Sequence, residues 1–337
     1  MHAVWKSSLG AVLLLLGSCQ SNLPDFEGLD ASPAGADAVV GVSYEIDLSA
    51  INIYLQESFA AAERDSDLGR LGTIVDTYHL LGWSIPDPSR VQEIFDAMQR
   101  SDGTWSLAPG FEKHYAVITM VYSMMYHRLG LSPQNSLADY FDRIDTWDEL
   151  QADIKSFEAP KNYWGGAIGY VMLYVAQTGI EPPWMQKLYD QAKANTPDWI
   201  EGSHQRARAV QLIACTGRSL PQMASLLNAI LSQQNEADGG WGNERVPESN
   251  VDDSASNVIL LARYFGTDPK AASAIKNGLD YIHSNYRTDS NIAGFSESMG
   301  NQEIESHMTF MALAAFVETG YVPGTTTIMH PVGKNWW

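Results

Sequence analysis

The chain has 337 residues, and 21 lysine and arginine residues stand against 40 aspartate and glutamate residues, which gives a formal net charge of −19. An acidic excess of this size opposes nucleic-acid binding and electrostatic docking on anionic lipid. The charge favours solubility, and nothing in the middle of the chain has the composition of a linker between domains.

The first residues have the pattern of a secretory signal. Lys6 precedes an apolar run from Leu9 to Leu16, which is too short to span a bilayer as a helix. Small residues follow, and then Cys19. This stretch resembles the bacterial lipoprotein signal, which implies removal of residues 1–18 and lipidation, such as by palmitate, at Cys19. An ordinary signal peptide with an incidental cysteine is the alternative.

The resemblance also implies a place in the cell envelope, anchored by lipid, and Gln20 after the cysteine favours the outer membrane. Residues 19–44 are rich in Ser, Pro, Gly, Ala and Asp and are expected to form a flexible tether. The folded domain is predicted at 45–322, with a C-terminal tail at 323–337. Cys215 is the one cysteine after the signal, so an intramolecular disulfide is not expected.

An internal repeat organises the domain. Six apolar stretches of helical length end at a glycine, namely Gly82, Gly130, Gly179, Gly217, Gly266 and Gly320. All six glycines are followed within a few residues by proline, which predicts helices that end at a left-handed glycine. Most intervals are near fifty residues, which is room for two helices and two connections.

Two classes of helix alternate along the chain. The glycine-terminated stretches are apolar nearly all round, whereas those between them have one apolar face. The predicted inner helices are 68–81, 114–129, 164–178, 204–216, 252–265 and 305–319, and the outer ones are 49–63, 88–100, 136–156, 184–195, 221–234 and 270–285. This alternation favours an all-α (α/α)6 toroid of two concentric rings. An open superhelix of the same hairpins is the alternative.

The most specific motif runs from Gln233 through Gly239-Gly240-Trp241-Gly242 to Val251-Asp252-Asp253-Ser254. Gln99 with Trp105 and Gly294 with Phe295 are weaker copies. The motif resembles the repeat of squalene-hopene cyclases and protein prenyltransferase β-subunits, members of the terpenoid cyclase and prenyltransferase toroid superfamily. Glycine permits the sharp turn and the ring fills the space between hairpins, so Gln99, Gln233 and both tryptophans are expected to be architectural.

The resemblance also implies candidate catalytic residues. In the cyclases an Asp-x-Asp-Asp segment supplies the acid that protonates a polyene, and the matching segment here is Asn250-Val251-Asp252-Asp253. Asp252 then takes the place of the proton donor and Asp253 that of the last acid, while Asn250 replaces the first. His307 corresponds to the histidine that supports the acid through a hydrogen bond. Helix capping is the alternative role for both aspartates.

In the prenyltransferases the same region supplies a zinc site of aspartate, cysteine and histidine. Asp252 and His307 match two of these positions, but Ser254 replaces the cysteine, and serine is a poor zinc ligand. No metal and no cofactor are therefore predicted.

In the toroid the N-terminal ends of the inner helices converge on one rim of the central cavity. This placement gathers Asp252, Asp253 and His307 with a set of predicted substrate-binding residues: His114, Tyr115, Tyr163, Trp164, His204 and Arg206. Histidines, acids and aromatic rings on one rim suggest a site for a small molecule or a glycan.

Three functions fit these features. The first is acid catalysis on a neutral isoprenoid or other lipid, with Asp252 as donor. The second is polysaccharide processing by a lyase or glycosidase, with rim carboxylates as acid and base. The third is a non-catalytic binding lipoprotein, which the replacements Asn250 and Ser254 favour. The sequence favours an enzyme.

Overall fold

The computed structural model describes residues 44–101, 103–105, 126, 223–243 and 246–321. These residues form seven helices and two strands. The helices are α1 Leu48–Asp65, α2 Leu68–Leu80, α3 Pro88–Met98, α4 Met223–Ser232, α5 Val251–Phe265, α6 Pro269–Ser284 and α7 Ser306–Glu318; the strands are β1 Tyr286–Asp289 and β2 Ile292–Phe295. Each predicted helix within the described ranges is present, with both ends within two residues of the predicted ones.

The predicted inner helices 114–129, 164–178 and 204–216 and the predicted outer helices 136–156 and 184–195 lie outside the described residues, apart from Tyr126. The described pairs are α1 with α2, the outer helix α3, the outer helix α4 with α5, and α6 with α7. They represent the first and last parts of the predicted ring.

Short polar side chains begin the described helices. Asp47, Asp67, Asp87 and Asp268 each accept a hydrogen bond from a backbone N–H of the first turn that follows. These N–H groups have no partner within the helix, and a carboxylate also interacts favourably with the helix dipole.

Glycine ends two of the described inner helices as predicted. Gly82 after α2 has a φ of 65° and Gly320 after α7 has a φ of 72°, both in the left-handed region. The prediction is wrong for Gly266, whose φ is −57°. The chain there continues in a right-handed turn, with the Asp268 N–H bonded to the Phe265 carbonyl, and passes directly into α6.

The two helix classes differ in burial as the sequence indicates. Every residue of α7 from Ser306 to Phe316 is buried, and α2 is buried on nearly all sides. In α3 and α6 burial is confined to one face. Helix α7 packs against α2 and α5, and α5 packs against α6. Within the described residues, no helix has both the length and the hydrophobicity to cross a membrane.

The beginning and the end of the folded chain contact each other. Helix α7 packs on α2, and strand β2 packs on α1. The Tyr54 hydroxyl donates to the Ile304 carbonyl at 2.9 Å, and the Asp47 N–H donates to the Tyr286 hydroxyl at 2.9 Å. A closed ring requires contact between its first and last pairs. The (α/α)6 toroid stays a prediction, because its middle pairs lie outside the described residues.

The residues before α1 form a clasp, residues 44–47, across the last hairpin. The Tyr44 hydroxyl donates to Asp280 Oδ1 at 2.6 Å, and the Tyr44 carbonyl accepts from the Tyr321 hydroxyl. The Tyr44 ring lies 5.2 Å from that of Phe316 and 4.9 Å from that of Tyr321. The clasp therefore joins α1 to both helices of the last pair.

The small antiparallel sheet of β1 and β2 is not predicted by the sequence pattern. The strands have four residues each and turn at Ser290, whose φ is 54°. The Arg287 guanidinium donates to carbonyls of four residues around the sheet: Ser284, Tyr286, Met299 and Asn301. This arginine fixes the loop that leads from β2 to α7.

The repeated motif has the same hydrogen bonds in its two tryptophan copies. Trp105 Nε1 donates to the Phe95 carbonyl at 3.0 Å, and Trp241 Nε1 donates to the Ile230 carbonyl at 2.9 Å. Both rings are fully buried, which agrees with an architectural role.

A glutamine side chain closes each of these turns. Gln99 Nε2 donates to the Gly103 carbonyl at 3.1 Å, and Gln234 Nε2 donates to the Gly239 carbonyl at 2.7 Å. The counterpart of Gln99 is thus Gln234 and not Gln233. The second turn is one residue longer than the first, which shifts the matching glutamine from position 233 to 234.

Replacing Gly278 with alanine is expected to destabilise the protein. A Cβ at Gly278 would lie 2.6 Å from Val258 Cγ2 and 2.7 Å from Trp241 Cζ3. In an open helix this change would stabilise by about 1 kcal/mol, but overpacking costs about 1–3 kcal/mol. We expect urea unfolding to show a net loss for Gly278→Ala. Gly300→Ala is the control, because nothing lies within 4 Å of its added Cβ; equal stability of both variants would contradict this packing.

The clasp predicts a loss of stability in alkali. Burial raises the pKa of Tyr44 above its ordinary value, and its hydrogen bond to Asp280 raises it further. The folded state therefore retains a proton that the unfolded chain loses near pH 10, so this contribution is present below about pH 10 and falls as the pH rises. Urea midpoints between about pH 8 and 11 should fall less steeply for Tyr44→Phe than for the unaltered protein. Parallel curves would show that Tyr44 makes no such contribution.

Candidate functional site

The candidate site lies where the N-terminal ends of α5 and α7 come together. The two helices pack along each other, and the Val251 N–H donates to the Glu297 carbonyl at 2.9 Å, which joins the first residue of α5 to the loop before α7. Asp252 is the second residue of α5 and His307 is the second residue of α7. Asp252 Oδ1 and His307 Nε2 are 3.7 Å apart.

The repeat explains why these two side chains meet. The Trp241 N–H donates to Ser254 Oγ and the Phe295 N–H to Thr309 Oγ1, at 2.9 and 3.0 Å. The same aromatic residues form antiparallel backbone pairs with Asn250 and Glu305, respectively. Asp252 lies two residues after Asn250, and His307 two residues after Glu305. The two positions are therefore structurally equivalent in consecutive repeats.

The pair is close but is not directly hydrogen-bonded. A separation of 3.7 Å is within ion-pair distance and longer than the 2.6–3.2 Å or so of a hydrogen bond between catalytic groups. The direct bond that the family resemblance implies is therefore not formed. The side chains are 16% exposed for Asp252 and 9% exposed for His307, so both are largely removed from water.

The His307 ring lacks hydrogen bonds. Within the part of the chain that the structure describes, neither Nδ1 nor Nε2 has a hydrogen-bond partner, and both atoms are buried. A buried polar group without a partner costs about 1–3 kcal/mol. Native structures rarely contain such a group without a functional reason or a bound molecule.

Asp253 is held differently from Asp252. Its Oδ2 accepts hydrogen bonds from the side-chain amides of Asn243 and Asn250, both at 2.6 Å, and its backbone N–H donates to Asn250 Oδ1 at 2.8 Å. Asp253 is only 1% exposed. The N-cap of α5 is thus Asn250 and not Asp253, whose carboxylate is held by the two side-chain amides. This arrangement leaves Asp252 as the better candidate for chemistry.

Ser254, at the place of the prenyltransferase cysteine, takes part in the turn. Its Oγ accepts from the Trp241 N–H at 2.9 Å and donates to the Trp241 carbonyl at 3.4 Å. Across the described ranges, the structure brings together no cluster of three or more His, Cys, Asp or Glu side chains that could hold a metal ion.

The other predicted site residues lie outside the described residues and stay predictions. They are the substrate-binding candidates His114, Tyr115, Tyr163, Trp164, His204 and Arg206, and the lipidation candidate Cys19.

Two residues of interest were missed by sequence reasoning. Asn243 holds Asp253, but a polar residue after Gly242 has no pattern that would reveal this contact. Asp76 is only 6% exposed within the apolar helix α2. The sequence does contain a signal for Asp76, because a single carboxylate in an inner helix is costly to bury and implies a compensating interaction.

No family model matches the chain, and no curated protein matches it.

The different roles of the two aspartates can be tested by stability. Asp253→Ala removes the acceptor of two amide donors and should lower the free energy of unfolding by about 2–4 kcal/mol. Asp252→Asn should change it by less than about 1 kcal/mol, because that side chain is more exposed and its shape is kept. Chemical denaturation measures both. A larger loss for Asp252→Asn than for Asp253→Ala would reverse the assignment.

Proposed function

We propose that the protein is an enzyme that acts by acid catalysis on a neutral isoprenoid or another neutral lipid. Asp252 is the proton donor and His307 supports it. The observation that carries the proposal is the approach of Asp252 Oδ1 to His307 Nε2 at 3.7 Å, at the ends of two adjacent helices and largely out of water.

The environment of the pair suits proton transfer. At 3.7 Å the imidazole and the carboxyl group are within ion-pair distance, and low exposure strengthens every charge interaction between them. The amides of Asn243 and Asn250 hold the neighbouring Asp253 and so fix the first turn of α5, from which Asp252 projects. A fixed donor is a requirement of general acid catalysis.

The proposed reaction begins with proton transfer from Asp252 to a carbon–carbon double bond of the substrate. The proton of the Asp252 carboxyl group forms a new C–H bond with the π electrons of a substrate double bond, which leaves a cation on the neighbouring carbon. Transfer of a proton from the cation to water or back to the Asp252 carboxylate then gives an isomerised or cyclised neutral product. Tyr115, Tyr163 and Trp164 are the predicted residues that would face the cation, through their ring quadrupoles.

A non-catalytic binding protein is the second candidate. It is favoured by the hydrogen bonds of Asp253 and Ser254, which occupy both residues in holding the turn. Such a protein would bind the same neutral ligand at the rim without converting it. Polysaccharide processing would depend on Arg206 and other residues outside the described ranges. No contact among the described residues favours this function.

We also propose that the protein is held in the bacterial cell envelope by a lipid on Cys19. The support is the sequence of residues 1–19 and the polar composition of the tether that follows. This anchor would keep the rim near a source of lipid substrates.

Turnover by the mature protein, residues 19–337, tests the proposal. Squalene and shorter linear isoprenoids would be incubated with the protein, and isomeric products would be identified by gas chromatography and mass spectrometry. Asp252→Asn should lower the rate by about 10²–10⁴-fold, the usual contribution of a general acid. Glu303→Gln is the control, because this carboxylate is exposed in the loop before α7 and should leave the rate unchanged.

The outcomes separate the two candidate functions. Binding of these lipids without product would support the non-catalytic protein. Product formation by Asp252→Asn at the unaltered rate would exclude Asp252 as the donor.

A further inference from the structure

The separation of Asp252 and His307 matches that of two groups bridged by one oxygen atom. The two facing atoms are 3.7 Å apart, which is too long for a direct hydrogen bond and too short for two intervening atoms. An oxygen about 2.8 Å from each atom completes a triangle on this base. Such an oxygen would give the buried Nε2 the partner that it lacks within the described residues.

A hydroxyl group meets the chemical requirement on both sides. While Asp252 is ionised, its carboxylate can only accept a hydrogen bond, and an Nε2 that carries a hydrogen can only donate one. A hydroxyl group donates to the carboxylate and accepts from Nε2, and it can exchange both roles when Asp252 carries the catalytic proton. A hydrocarbon provides neither function, and an anionic group would face the carboxylate without a donor of its own.

Exposed apolar side chains lie in the two loops that precede α5 and α7. Val246 is 44% exposed and Met299 is 50% exposed, and these are the exposed large hydrophobic residues of the described part. Val246 lies in the loop before α5 and Met299 in the loop before α7, and the bond from the Val251 N–H to the Glu297 carbonyl joins the first residue of α5 to the second of these loops. Arg287 holds the Met299 carbonyl, so this apolar side chain projects from a fixed loop.

We propose that Asp252 and His307 form a binding site for a single neutral hydroxyl group, so that the ligand is an alcohol with an apolar body. The inference rests on the proposed function for the apolar body of the ligand, and it narrows the ligand class from neutral lipids to alcohols. His307 then recognises the ligand oxygen directly, in addition to supporting Asp252.

Paired ligands test the hydroxyl preference. Farnesol is a linear isoprenoid alcohol, and farnesene is a hydrocarbon with the same carbon skeleton; binding of each to the mature protein would be followed by tryptophan fluorescence. The hydroxyl should strengthen binding at least about tenfold, because hydrogen bonds to a charged group contribute about 1.5–3 kcal/mol. His307→Phe should abolish this preference and retain farnesene binding. His283→Phe is the matched control, because His283 contacts the clasp. This variant should keep the preference for farnesol over farnesene.

A small alcohol tests the site independently of the apolar body. Crystals of the mature protein would be soaked in 2-bromoethanol, whose bromine is located by anomalous scattering. We expect its oxygen within hydrogen-bonding distance of Asp252 Oδ1 and His307 Nε2. A crystal in which this gap holds no oxygen atom would overturn the proposal, even if His307→Phe does not fold.

The results distinguish failure of the inference from failure of the proposed function. Equal binding of farnesol and farnesene would retain a lipid-binding function and overturn the hydroxyl site. Bromoethanol between Asp252 and His307 without binding of either isoprenoid would retain the hydroxyl site and overturn the lipid function. A hydroxyl preference that persists in His307→Phe would assign recognition to another residue.

Discussion

The register between adjacent helical pairs depends on one hydrogen-bonded arrangement that the chain repeats. An aromatic residue forms a backbone pair with the residue before an inner helix, and its backbone N–H donates to a hydroxyl group one turn into that helix. Trp241 does so with Ser254, and Phe295 does so with Thr309. This arrangement fixes the height at which each inner helix begins. Because α5 and α7 begin at the same height, Asp252 and His307 face each other across the helix contact.

Much of the helical architecture could be predicted from sequence, because apolar periodicity directly reflects which faces are buried. The small sheet and the conformation of Gly266 could not be predicted in this way. The sheet of β1 and β2 has strands of four residues and no strong pattern, and Gly266 follows a helix without adopting the left-handed conformation. The family resemblance selected both aspartates, but only side-chain geometry separates them, since Asn243 and Asn250 bind Asp253 from different segments.

The buried imidazole sets a balance between stability and function. His307 lies among the apolar residues of α7, and its ring nitrogens have no hydrogen-bond partner within the described residues. An apolar ring of similar shape would remove this unfavourable burial. A polar group kept at such a position is better explained by recognition or proton transfer than by packing, because functional sites are where local stability is commonly sacrificed.

Helix α7 connects the candidate site to the closure of the fold. Its first turn carries His307, and its later residues contact α2 and the aromatic rings of the clasp through Phe316. A shift of α7 along α5 would change the separation of Asp252 and His307, which lies at the limit between an ion pair and a bridged contact. The contacts that join the first and last pairs therefore also hold the site geometry, since the same rigid helix takes part in both.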